Sequence, residues 1–201
     1  MLDVDEARHH YAHAEAVHDF DHVLRVLALA ERLARAEGAD LEIVRAAALL
    51  HDAGRGQGVE HAAAGADLAR RVLVDQPPDR VEAVAHAIAA HRFRRGPAPA
   101  TLEARVVHDA DKLDAIGAIG VARAFHYGGH WGQRLWAEVP PDYEETPDSL
   151  DVHTPVHEYV YKLARIKDRL LTASARRLAD ERHAFMVAFF ARLHREVHGL
   201  A

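Results

Sequence analysis

Four residues from three separate stretches have side chains that can hold a divalent ion: His22 in "HDFDHVLRV", the adjacent pair His51 and Asp52 in "AALLHDAGR", and Asp111 in "HDADKLDA". Imidazole nitrogen and carboxylate oxygen together suit Mn, Mg, Co, Ni, Fe or Zn, with geometry rather than affinity alone setting the choice. The chain contains no cysteine, so disulfides and thiolate metal sites are excluded. Adjacent residues of a regular helix diverge by about 100°, so His51 and Asp52 can share one ion only near a helix end. Gly54 supplies that end.

Weighed singly, these residues say little. One histidine on an apolar helix is more often a hydrogen-bonded core residue than a ligand, and a lone His-Asp dipeptide carries almost no information. The combination carries more. The stretch "LEIVRAAALLHD" is apolar on most sides and delivers a carboxylate to its end. A buried carboxylate is costly unless it is paired or bound to metal. Arg55 or Lys112 could provide the pairing without any ion.

The elements that must position these residues read as helices. From Phe20 to Ala36 the apolar residues Val23, Val26, Leu27, Ala30 and Leu33 recur at helical spacing, and Gly38 ends the segment. Asp40 is placed to cap the next helix, which runs into His51 and Asp52. "EHAAAGADLARRVLVD" predicts a third helix broken by Pro77 and Pro78, and "DRVEAVAHAIAAHRF" a fourth, stopped by Gly96, Pro97 and Pro99. Thr101 can cap a long fifth segment, residues 102–127, weakened in its middle by Gly117 and Gly120. Residues of about 127–153 hold both tryptophans and several Pro and Gly without any period, and predict a long loop or lid. Two helices close the chain over about 155–198, the second capped by Thr172. No stretch alternates with period two. The expectation is therefore all-α: a single domain over 1–201, a helical bundle of about seven helices with its chemistry in a core of about 18–125.

Composition narrows the class further. At 201 residues, 49 % hydrophobic and 28 % charged, the chain fits a globular protein. No apolar run reaches the roughly 18 residues a membrane span needs. The N-terminal "MLDVDEARHHYAHAE" is acidic and polar, unlike a secretion signal, which predicts a cytoplasmic protein. The formal charge is −6 and the arginines are scattered, so extended nucleic-acid binding is disfavoured. Most of the seventeen histidines must have no role in the chemistry.

Taken together, "HDFDHVLRV", "AALLHDAGR" and "HDADKLDAIGAIG" resemble the H…HD…D signature of the HD-domain metal-dependent phosphohydrolases, and the likeness extends over nearly the whole chain. Downstream, "VARAFHYGG", "HEYVYKLARIKDRL" and "TASARRLADERHAFMVAFF" resemble small bacterial HD hydrolases that include nucleoside-triphosphate pyrophosphohydrolases. The resemblance implies one divalent metal ion held by His22, His51, Asp52 and Asp111, with coordination positions left for water and substrate. It implies a nucleotide substrate, with water attacking the α-phosphorus and pyrophosphate leaving. Alternatives are a nucleoside monophosphate phosphatase or phosphodiesterase, and a non-catalytic metal- or nucleotide-binding helical module. A homodimer stays open.

Around the ligand set, further roles follow from position. The resemblance implies Asp52 and Asp111 as catalytic carboxylates, and Asp114, three residues on, could orient a ligand or water or pair with a cation. His18 stands four residues before His22 on one helix face, and Arg25 lies on the same turn; both are candidate substrate contacts. Lys112 could neutralise phosphate charge, and Lys162 resembles a family lysine that could hold a terminal phosphate. Some HD proteins bind two metals through extra histidines, which draws attention to His61, His86 and His91. His86 and His91 are five apart, a poor spacing for one helix face, so the expectation is one metal with His91 beside the substrate. Tyr127, Trp131 and Trp136 could stack on a base or pin the loop.

Overall fold

The computed structural model describes residues 2–11, 20–55, 61–92, 96–140, 143 and 152–201. Among the described residues there are nine α-helices and no strand: α1 (Val4–Arg8), α2 (Phe20–Glu37), α3 (Leu41–Leu50), α4 (His61–Val72), α5 (Pro78–Ala89), α6 (Leu102–Asp114), α7 (Gly117–His130), α8 (Pro155–Tyr161) and α9 (Ala173–Val197). The class is as expected and the count exceeds about seven for local reasons. Helix α1 is five residues long, too short to show a period. It forms because the Asp3 carboxylate accepts from the Glu6 amide while the Glu6 carboxylate accepts from the Asp3 amide, a complete capping box.

The long fifth segment divides into α6 and α7. Gly117 has φ +78°, a left-handed conformation that a β-carbon disfavours, and a Cβ there would press on the Arg182 side chain. The end of α6 is closed by the Ile116 amide and an Arg182 guanidinium N–H, which both donate to the Leu113 carbonyl. Helix α8 ends sooner than expected, passing into two short 3₁₀ turns, Leu163–Arg165 and Lys167–Arg169.

Two compact units are present, Met1–Lys112 with Leu171–Ala175, and Leu113–Leu170 with Arg176–Ala201. In the first, α2 packs on α3, and α3 and α4 pack on α5. Helix α3 is the interior element: Val44 and residues 46–50 are almost wholly inaccessible. Asp40 caps it as the sequence predicts, accepting from the Glu42 and Ile43 amides at 2.9 and 3.2 Å. Pro77 and Pro78 begin α5 rather than end α4, which stops at Val72; Pro78 occupies the first turn, where its missing N–H costs nothing. In the second unit Tyr159 stacks on Phe190 with centroids 4.0 Å apart, Phe125 meets Phe189 and Phe190, and Met186 is fully buried. Helix α7 continues through His130, so the irregular segment begins at Trp131, later than 127.

Asp109 ties α6 to the start of α9. Its carboxylate is wholly buried and accepts from the Leu171 amide, the Thr172 amide at 2.7 Å and the Thr172 hydroxyl at 2.8 Å. Thr172 in turn caps α9, accepting from the Ala175 amide at 3.4 Å. Replacing Asp109 with Ala strands several buried donors, each costing about 1–3 kcal/mol. Asp109→Ala is expected to lower the unfolding free energy by about 2–3 kcal/mol in a urea titration, while metal uptake by the folded chain is unchanged.

Candidate metal centre

Five segments of the first unit meet at one site around Asp52. His22 comes from the first turn of α2, His51 and Asp52 from the turn that follows α3, Asp111 from α6, His61 from the first residue of α4 and His91 from just beyond α5. His22 Nε2 stands 3.3 Å from His51 Nε2, 3.7 Å from Asp52 Oδ2 and 3.5 Å from Asp111 Oδ1. His51 Nε2 is 3.6 Å from Asp52 Oδ2. On the other side, Asp52 Oδ1 lies 3.8 Å from His61 Nε2 and 3.6 Å from His91 Nε2. Two three-donor groups therefore share one carboxylate: His22, His51 and Asp52, and Asp52, His61 and His91, the donors of each lying within 4.8 Å of one another.

The helix ends aim these donors. His51 Nδ1 lies 2.8 Å from the Ala48 carbonyl and His91 Nδ1 lies 2.6 Å from the Ile88 carbonyl, so Nδ1–H donates and Nε2 is turned inward. Burial pushes the His51 imidazole down to about 4, which keeps it neutral at ordinary pH. Desolvation lowers His61 to about 4 as well, helped by the Arg55 charge. Burial alone would raise the Asp52 carboxyl, but His51, His91 and Arg55 outweigh it and hold the group well below the usual range. The same opposition holds at Asp111, where Lys112, then His51 and His22, win over desolvation. The donor set thus includes the neutral imidazoles of His51 and His61 and the ionised carboxylates of Asp52 and Asp111.

Arg55 Nε approaches Asp52 Oδ2 to 2.6 Å, yet the N–H is not aligned as a hydrogen bond requires. Both Asp52 oxygens are consequently buried without a hydrogen-bond partner. A buried acceptor in that state is rare and calls for an ion or water to complete it. The residues present fit a divalent cation.

The glycine after the His-Asp pair is required by proximity. A Cβ on Gly54 would stand 2.2 Å from the His61 carbonyl oxygen and 2.6 Å from the Gly65 amide nitrogen. The turn can therefore lie against the start of α4, which brings His61 to Asp52. Gly65 allows the matching approach from α4, its missing Cβ facing Ile88 and the Leu50 carbonyl.

The remaining expected site residues are placed as follows. His18 lies outside the described residues. Arg25 is half-buried on α2, one turn after His22. Lys112 is ion-paired with Asp111 at 2.6 Å, and so compensates that carboxylate while Arg55 sits beside Asp52. Asp114 is buried and accepts from Arg123 at 3.3 Å, within the second unit. Lys162 is exposed and pairs with Glu158 at 2.6 Å, also in the second unit. His91 stands among the nitrogen donors around Asp52, just past the end of α5. His86 remains on α5 and accepts from the Ala100 amide. Trp131 is 63 % exposed and contacts Tyr127 and His130, whereas Trp136 packs against His194 and His198.

Comparison with known proteins gives the class. The family model of the HD domain matches residues 19–116, which include His22, His51, Asp52 and Asp111. The uncharacterized protein YpgQ of Bacillus subtilis strain 168 is 35 % identical over 189 residues, covering 91 % of this chain and 86 % of that protein. The chain belongs to the HD-domain superfamily. Two solved structures extend the likeness over the whole fold. The crystal structure of Bacillus subtilis YpgQ in complex with ADP superposes with a TM-score of 0.77 at 31 % identity, covering 99 % of this chain and 100 % of that one. An HD-superfamily hydrolase from Bacillus thuringiensis gives 0.78 at 29 % identity, with 97 % and 94 % covered.

Gly54→Ala forces the turn away from α4. It is expected to cost about 1–3 kcal/mol of stability, as other overpacked sites do. Chemical denaturation monitored by circular dichroism measures it, and an unchanged midpoint would contradict the contact.

Proposed function

We propose that the chain is a divalent-metal-dependent phosphohydrolase that cleaves nucleoside or deoxynucleoside triphosphates and releases pyrophosphate. The observation that carries this reading is Asp52, whose two buried oxygens lack hydrogen-bond partners between two sets of imidazole nitrogens. The ADP in the YpgQ crystal structure supports a nucleotide as the ligand class.

His22, His51, Asp52 and Asp111 would hold the ion. Bound there, a divalent cation supplies Lewis-acid activation of a phosphoryl oxygen and of water. The protein supplies the rest. His51 and His91 are locked with Nε2 inward by their backbone carbonyl partners, so the rings need no reorientation. Arg25 and Lys112, on the helices that carry His22 and Asp111, are the cations assigned to the phosphate chain. The water oxygen bonds to the α-phosphorus, the bond from that phosphorus to the bridging oxygen breaks, and pyrophosphate departs with the electron pair while a proton is released to solvent.

The second donor group, Asp52, His61 and His91, favours a variant of this reading in which two ions flank Asp52. Equilibrium dialysis against Mn²⁺ separates the two: the double variant His61→Ala, His91→Ala should lose half of the bound metal if two ions are held, and none if there is one.

For the reaction, a panel of nucleoside tri-, di- and monophosphates is incubated with Mn, Mg, Co or Ni, and phosphate is assayed with and without added pyrophosphatase. Phosphate that appears only after pyrophosphatase is added is the expected result for triphosphates. Direct phosphate release from monophosphates would favour the phosphatase alternative, and cleavage of a diester the phosphodiesterase one. Asp52→Ala should abolish bound metal and reduce turnover by at least about a hundredfold, on the scale of losing a charge-stabilising group, with helix content unchanged. An active, metal-free Asp52→Ala chain would sink the proposal, and a metal-binding chain inactive on every nucleotide would favour the non-catalytic module.

A further inference from the structure

The His-Asp turn is held from outside the region that the HD domain family model matches, by a residue that the ligand pattern does not include. Helix α3 ends at Leu50, and its last carbonyls need new partners. Each finds one. The Ala48 carbonyl takes the His51 ring, and the Leu50 carbonyl takes the Ala53 amide in a tightened turn. That tightening deprives the Leu49 carbonyl of the Ala53 amide, which a continuing helix would have supplied. The Tyr11 hydroxyl donates to Leu49 instead, at 2.9 Å across 38 residues of chain.

Tyr11 is itself well fixed. It is 9 % exposed, its ring meets Phe20 edge to face with centroids 5.3 Å apart, and the Arg8 guanidinium lies 4.2 Å from the Phe20 ring centre. Helix α1, which leads into Tyr11, packs on α3. A rigid donor therefore grips the backbone two residues before His51 and three before Asp52.

We propose that Tyr11 is a positioning residue of the metal centre, fixing through the Leu49 carbonyl the helix end from which His51 and Asp52 project. This rests on the reading of those two residues as metal ligands. Tyr11 touches neither substrate nor ion in this role; its hydroxyl sets the direction of groups that do. Outer groups that orient ligands typically account for tenfold to hundredfold in metal affinity.

The test is the Mn²⁺ affinity of the full chain, measured by isothermal titration calorimetry for the parent, Tyr11→Phe and Phe20→Leu. Tyr11→Phe keeps the ring and its packing and deletes only the donor. It should bind Mn²⁺ about tenfold more weakly with an unchanged circular dichroism spectrum. Phe20→Leu disturbs the same packing but spares the hydrogen bond, and should lower the unfolding temperature while Mn²⁺ affinity stays at the parental value. Equal affinity in Tyr11→Phe and parent overturns the inference, as does an equal loss in both variants, which would mark a packing effect. A parent chain that takes up no Mn²⁺ overturns the metal reading as well, and so is distinguishable from failure of the inference alone.

Discussion

The rest of the first unit is arranged around one buried charge. Asp52 is nearly inaccessible, and an isolated carboxylate in that position would cost more than a small domain can spare. Its surroundings offset the cost with dipoles and latent positive charge: four imidazoles lie within 3.8 Å and a guanidinium stands at 2.6 Å. The imidazoles cannot all be cations, since burial holds His51 and His61 neutral down to about 4. Neutral nitrogens facing an ionised oxygen repel it through their lone pairs unless something positive lies between them. A divalent ion resolves that conflict in a way that Arg55, poorly aligned, does not.

The acidic run around Asp111 shows how one short segment divides its charges among unrelated tasks. Asp109, Asp111 and Asp114 lie two and three positions apart on α6, which separates their directions by about 200° and about 300°. Asp109 faces the start of α9 and accepts its first amides. Asp111 faces His22 and Lys112. Asp114 receives Arg123. Only geometry distinguishes them; residue type does not, and three carboxylates so close in sequence would otherwise read as one cluster.

That contrast explains what the sequence made legible. The four-residue set stands out as a candidate because an apolar helix that delivers a carboxylate just past its end is chemically unusual, and because Gly54 follows in the turn. Its proximity to His61 was not readable, since the reason for Gly54 is a contact with α4 and not the termination alone. The direction of His91 was not readable from its five-residue spacing to His86, since α5 stops at Ala89 and helical spacing has no meaning beyond it. Helices α1 and α7 escaped a reading by periodicity for opposite reasons. The first is too short to show a period, and the second continues the apolar pattern of α6 across a break that one glycine conformation creates. Tyr11 carried no signal at all, because a hydroxyl that meets a backbone carbonyl leaves no trace in the partner's identity.

The two best-fixed imidazoles share a construction that makes sense of where the site lies. His51 is the residue after α3 and His91 stands just past the cap of α5, and each donates Nδ1–H to the carbonyl three residues earlier. Helix ends have carbonyls without amide partners, and the same ends carry the negative pole of the helix dipole. A histidine there adds a ring N–H to an end carbonyl, at Ile88 beside the His91 amide, and is oriented by doing so. Both termini then contribute partial negative charge where the carboxylates of Asp52 and Asp111 already favour a cation. Placing the ligands at helix ends rather than mid-helix thus solves orientation and charge together, while the close approach of α4 to the neighbouring turn excludes any side chain at Gly54.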